Sequence, residues 1–100
     1  MILVTGGTSG IGEAVVRHLD HLSVSTAFVG RDEDKGRALE ASLSRAKFIR
    51  CDVADDADCT SAAAAALAHC GGHATGLVNN AGVALRQPLA STTTAEWDRI

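Results

Sequence analysis

Tyrosine is absent from this 100-residue chain, and lysine occurs only at Lys35 and Lys47. Chemistry that needs a phenolic acid/base, alone or coupled to lysine, has no carrier among these residues. Cysteine is sparse and odd in number: Cys51, Cys59 and Cys70 form no C-x-x-C pair, which argues against a disulfide framework and a zinc site and fits a reducing compartment. No excess of positive charge is present either. Nine basic against 12 acidic side chains give a net charge of −3, and the basic residues are scattered, so nucleic acid and anionic membranes are not expected partners. Long apolar runs are missing: Met1–Val4 and Ala62–Ala68 fall far short of the roughly 20 residues that span a bilayer. Met1 runs straight into a strand-like segment without a basic leader, and the expectation is a soluble, cytoplasmic protein. There is one proline, Pro88, and no repeat or linker, so the length allows one small domain or part of one.

What is present alternates regularly. Met1–Thr5 is an apolar run, Gly6, Gly7 and Gly10 punctuate, and Ile11, Val15, Leu19 and Leu22 then recur at helical spacing, which predicts a buried strand, a glycine turn and an amphipathic helix facing inward through those four residues. Thr26–Val29 is a second strand closed by Gly30, and Asp32 caps a helix with Leu39 and Leu43 inward. Ala46–Cys51 is a third strand. Asp55 or Asp56 starts an alanine-rich helix that Gly71-Gly72 ends, with Cys59, Ala63, Leu67 and Cys70 as its buried face. Leu77-Val78 is a fourth strand, and Thr92 or Thr93 caps a last helix through Glu96, Trp97 and Ile100. Parallel neighbours require crossovers, so this alternation predicts an α/β fold with helices on both faces of a parallel sheet.

The chemically informative segment is Thr5-Gly6-Gly7-Thr8-Ser9-Gly10-Ile11-Gly12, between the first strand and first helix. Glycines there let backbone approach a ligand, and the N–H groups and positive dipole end of the helix attract a pyrophosphate. Gly6, Gly10 and Gly12 give G-x-x-x-G-x-G rather than G-x-G-x-x-G, and a purely structural turn is the alternative. A nucleoside-triphosphate loop is excluded, because Glu13 and Ala14 stand where Lys and Ser/Thr would be needed.

With three further segments the sequence resembles the short-chain dehydrogenase/reductase family. Thr5–Gly12 matches T-G-x-x-x-G-I-G, Asp52-Val53 matches the D-V after the third strand, Leu77–Gly82 matches L-V-N-N-A-G, and Glu96–Ile100 looks like the helix that follows. The resemblance implies a Rossmann-like doubly wound sheet, with strand order 3-2-1-4 in this portion, and an oxidoreductase that moves hydride between a nicotinamide dinucleotide and an alcohol or carbonyl substrate. It implies that the turn, with Gly6, Thr8, Ser9, Gly10, Ile11 and Gly12, holds the pyrophosphate and ribose. Asp52 would accept from the adenine amino group and Val53 would line the ring. Asn80, Ala81 and Gly82 would sit beside the nicotinamide ribose, while Asn79 would knit the sheet together. A solvated carboxylate is the alternative for Asp52, and a tight turn for the asparagines.

Arg31 occupies the position after the second strand that discriminates the cofactors, and its planar fork suits a 2′-phosphate, so NADP(H) is expected over NAD(H). Asp32 and Glu33 compete for it, and Ser9 stands where many NADP-preferring relatives carry a second basic residue. His18, His21, His69 and His73 lie near helix ends without ligand spacing and receive no chemistry. The family's Tyr, Lys, Ser and Asn cannot be placed, so the resemblance is to the N-terminal, cofactor-binding portion of a longer enzyme, and no catalytic or metal residue is assigned. The rival readings are a non-catalytic NAD(P)-binding module and an inactive truncated product. Relatives commonly form dimers or tetramers, which makes homo-oligomerisation an implied possibility.

Overall fold

Each apolar run closed by glycine or a polar cluster forms a strand, and each capped stretch between them forms a helix. The computed structural model describes residues 1–100. In chain order its elements are β1 (Ile2–Thr5), α1 (Gly10–His21), β2 (Thr26–Gly30), α2 (Glu33–Ala41), β3 (Ala46–Arg50), α3 (Asp56–His69), β4 (Gly76–Val78) and α4 (Thr94–Arg99), with a 3-10 turn at Leu89–Ser91. The four strands are parallel and ordered β3-β2-β1-β4, as the sequence predicts. Thr93 caps α4 through a capping box with Glu96.

The pleat sorts the side chains into two layers. Val4, Phe28 and Phe48 stand opposite one another across β1, β2 and β3 and point to one face, where Val16 of α1 and Leu39 of α2 close over them. The two phenylalanine rings lie 5.5 Å apart and tilted, and the Arg37 guanidinium sits 5.3 Å from the Phe48 ring centre. The opposite face gathers Leu3, Val29, Ile49 and Cys51 under Ala62 of α3. Helices therefore cover both faces, which makes the sheet doubly wound and Rossmann-like. No helix is long and apolar enough to cross a membrane.

Two helix faces differ from the expected ones. In α1 the buried residues are Gly12 and Val16, with Val15 and Leu19 packed beside them, whereas Ile11 is 77% exposed and Leu22 57% exposed. At 3.6 residues per turn Ile11 and Leu22 fall to one side of the stripe formed by Gly12, Val16 and Leu19, at the margin of the face that meets the sheet. In α3 the inward pair is Ala62 and Ala66 rather than Ala63 and Leu67, and Cys59 and Cys70 are only half-buried. Small side chains on that side let the helix approach Val29 and Cys51.

Acidic side chains tie helices to the connections between strands. Asp20 accepts from the backbone N–H of Ser44 and Arg45 (3.1 and 2.6 Å), and Glu40 accepts from Phe48 N–H at 2.7 Å. Partial burial opposes the Glu40 charge, but that N–H together with Lys47 and Arg37 outweighs it and holds the carboxyl below its ordinary range.

Burial pushes the Cys51 thiol up to about 11, and the neighbouring Cys59 thiol and the Asp58 and Asp52 carboxylates add to it. The folded chain therefore keeps this proton where the unfolded chain loses it. The resulting stability is present at neutral pH and disappears between roughly pH 9 and 11. Urea midpoints measured at pH 7 and pH 10.5 should fall more steeply with pH for the native sequence than for Cys51→Ala. An identical decline in both would contradict the assignment.

Candidate functional site

The strand order reverses between β1 and β4, and in an open parallel sheet the crevice beyond the strand ends at such a point is where ligands bind. Here the two loops are stitched together. Thr5 Oγ1 accepts from the N–H groups of Asn80 and Ala81, both at 3.0 Å, while Asn80 Nδ2 donates to the carbonyls of Thr5 (3.2 Å) and Gly6 (3.1 Å). A Cβ on Gly12 would overlap the Gly6 carbonyl, so the turn closes tightly only with glycine at that position.

The start of α1 is left available to a ligand. Ser9 is its N-cap, yet the Ser9 side chain makes no cap hydrogen bond. The one acid of the first turn, Glu13, is drawn away by Arg17, whose Nε lies 3.0 Å from it. First-turn N–H groups and the positive end of the helix dipole are thus not capped by the Ser9 side chain, and the charge of Glu13 is offset by Arg17.

A cleft of about 670 Å³ opens there, within the size range of small-molecule sites. It brings together Gly6, Thr8 and Ser9 from the turn after β1, Arg31 after β2, Asp52 and Val53 after β3, and Asn80, Ala81 and Gly82 after β4. Gly10 instead lines an adjoining cleft of about 340 Å³ that shares Thr8 and Ser9. Ile11 projects into solvent, and Gly12 is buried behind the turn it permits.

Arg31 has no carboxylate within ion-pair distance. Its two competitors are engaged elsewhere: Asp32 accepts from Lys35 N–H at 3.0 Å as the cap of α2, and Glu33 lies 3.6 Å from Arg37. Asp52 Oδ1 accepts from Ala54 N–H at 3.0 Å, and Asp52 N–H donates to Asp58 at 2.9 Å.

The asparagines exchange the structural role expected of them. Asn80, not Asn79, knits the loops, while Asn79 is exposed and its side chain makes no hydrogen bond. Strand parity is the reason: Asn80 lies on the same side of the chain as Val78, toward β1 and its turn, and Asn79 on the other. Asn80→Asp should destabilise the chain by about 1–3 kcal/mol, because a carboxylate would meet two carbonyl oxygens. Asn79→Asp should stay within about 0.5 kcal/mol, as exposed substitutions do. Equal urea midpoints for the two variants would refute this.

Three contributors are not among the residues expected from the sequence. Asp58, in the first turn of α3, holds the loop that carries Asp52, and its signal was its place three residues after the Asp55 cap. Asp98 and Arg99, at the end of α4, also wall the cleft, and nothing in the local sequence places that helix over it.

A family model described as short chain dehydrogenase matches residues 1–100. The L-fucose dehydrogenase of Mus musculus is 38% identical over 99 residues, a match covering 99% of this chain and 36% of that protein. Among solved structures, a doubly substituted short-chain dehydrogenase/reductase of Serratia marcescens superposes with a TM-score of 0.89 at 30% identity, covering 98% of this chain and 42% of that one. A metagenomic short-chain oxidoreductase in complex with NADP gives a TM-score of 0.83 at 33% identity, covering 100% of this chain and 48% of that one. The chain thus spans less than half the length of each of these relatives.

Proposed function

Because the chain belongs to the short-chain dehydrogenase/reductase family, we propose that its cleft binds NADP(H) in preference to NAD(H) and serves hydride transfer to or from an alcohol or carbonyl substrate. The observation that carries this reading is the meeting of the glycine turn, an unpaired Arg31, Asp52 and the Asn80–Gly82 loop in one cleft at the reversal of strand order.

The residues fit such a ligand. At Gly10 the turn faces open space, and the uncapped end of α1 suits a pyrophosphate. The free Arg31 guanidinium suits a 2′-phosphate, with Thr8 and Ser9 hydroxyls on the same wall. Asp52 keeps one carboxylate oxygen for the adenine amino group, and Val53 offers an apolar surface to the ring. Ala81 and Gly82 bring backbone close to the nicotinamide ribose, beside Asn80. When bound, the nicotinamide supplies the hydride donor or acceptor carbon.

Residues 1–100 contain no tyrosine for the accompanying proton transfer, so their part in this reading is dinucleotide binding. A second reading, in which the chain binds the dinucleotide without turnover, rests on the same cleft. Calorimetric titration tests the common core. NADPH should bind at least about tenfold more tightly than NADH, the difference a charge-assisted contact to one phosphate provides. Equal affinities, or tighter NADH, would overturn the preference; absence of binding by either would overturn the site.

A further inference from the structure

Asp58 joins three elements through one carboxylate oxygen. It stands in the first turn of α3, where its own N–H donates to the cap Asp55 at 2.9 Å. Its Oδ2 accepts from Arg50 Nη1, at the end of β3, at 2.7 Å, and from the backbone N–H of Asp52 at 2.9 Å. Asp52 is then constrained at three points, its N–H by Asp58, its carbonyl by Asp55 N–H at 3.0 Å and its Oδ1 by Ala54 N–H at 3.0 Å. Its Oδ2 has no hydrogen-bond partner within the chain, and the residue lines the large cleft.

We propose that Asp58 is a positioning residue that sets the base selectivity of the site, holding Asp52 so that its free oxygen meets the exocyclic amino group of adenine. The inference rests on the assignment of Asp52 as the adenine contact.

Two physical effects act together. Asp55 and Ala54 hold Asp52 from its C-terminal side, and the hydrogen bond from Asp52 N–H to Asp58 fixes the peptide plane on its N-terminal side, so that the residue and its carboxylate keep one orientation. The ion pair also keeps Arg50 occupied. Without Asp58, that guanidinium is released two residues from Asp52, and pairing between them would consume the acceptor that adenine needs. Asp58 touches neither base nor phosphate in this scheme and acts through Asp52.

The probes are NADPH and its deamino analogue, in which hypoxanthine replaces adenine and the exocyclic amino group becomes a carbonyl. The full chain should bind NADPH about tenfold or more tightly than the analogue, the range expected for one hydrogen bond to a charged acceptor. Asp58→Ala should reduce that ratio to within about threefold while the NADPH-to-NADH ratio, set by Arg31, stays unchanged. Asp58→Glu keeps an acid in the first turn but displaces the acceptor by a methylene, and should behave like alanine. Whichever of the two is folded by circular dichroism carries the test. Asp58→Asn restores an acceptor to Asp52 N–H and should recover most of the ratio. Equal weakening of both ligands, or an unchanged ratio, would mean a merely structural role and overturn the proposal. A native chain that does not distinguish the two bases would overturn the Asp52 assignment, and this inference with it.

Discussion

Arg31→Ala is expected to weaken NADPH binding by about 1–3 kcal/mol, roughly five- to 150-fold, and to leave NADH within about twofold. The structure makes the comparison unusually clean. Arg31 is exposed and takes part in no ion pair, so removing it costs the folded chain none. The acids next to it stay where they are, with Asp32 capping α2 and Glu33 beside Arg37. The variant leaves Asp32, Glu33 and Asp34 next in the chain without the neighbouring cation, so longer-range repulsion of a 2′-phosphate adds to the lost hydrogen bonds. NADH carries no phosphate at that position and feels neither effect. Paired titrations of native and variant chains decide the matter, and equal losses for both dinucleotides would remove Arg31 from the cofactor preference.

Gly12→Ala should be more damaging than its single added methyl suggests. A Cβ at that position would occupy the space of the Gly6 carbonyl and come within 2.6 Å of Asn80 Nδ2. Neither neighbour can yield freely. The Gly6 carbonyl is fixed by the hydrogen bond from Asn80, and Asn80 is fixed in turn by Thr5. Relief requires the turn to open or α1 to move off β1, at a cost of about 1–3 kcal/mol or more, as for overpacked cores. Movement of either kind displaces the first-turn N–H groups, and dinucleotide affinity should fall about a hundredfold or more. Gly10→Ala is the control for stability only, because Gly10 belongs to the turn proposed to hold the pyrophosphate. Gly10 has φ +56, but a Cβ there meets nothing within 4 Å, so the penalty should be the left-handed conformation alone, about 1–2 kcal/mol. Urea unfolding of both variants and NADPH titration of the Gly12→Ala chain measure the difference; a Gly12→Ala chain as stable and as tight-binding as the native one would contradict the packing described for the turn.

Local order was readable wherever one residue type left one option. Short apolar runs ending in glycine became strands, Asp32 and Asp55 became helix caps as their position required, and the crossover rule together with the family resemblance gave the strand order. Helix faces were harder. The face that meets the sheet keeps Val15 and Leu19 of the expected set but is centred on Gly12 and Val16, which leaves Ile11 and Leu22 at its margin, and regular spacing alone does not fix that centre. In α3 apolar periodicity carries almost no directional information, because the run Ala62–Ala66 puts the same small side chain on every side of the helix. The site divided in the same way. Residues in loops directly after strands, from Gly6 to Ser9, Arg31, Asp52, Val53 and Asn80 to Gly82, come together in the cleft because the ends of parallel strands lie on one edge. The exchange between Asn79 and Asn80 depends on pleat parity at the last residue of β4, and the place of Asp98 and Arg99 depends on the path of the polypeptide from Asn79 to Thr93. Neither is encoded in a local pattern.

The most direct test is a titration of the ¹⁵N-labelled chain with NADPH, followed by amide chemical shifts. Saturable shifts should appear at Gly6–Gly12, Arg31, Asp52, Val53 and Asn80–Gly82, while the amides of Ser23, Gly71 and Gly72, in the turns that follow α1 and α3, stay in place. Shifts concentrated at those turns, or scattered and non-saturating, would contradict dinucleotide binding in the cleft at the strand-order reversal.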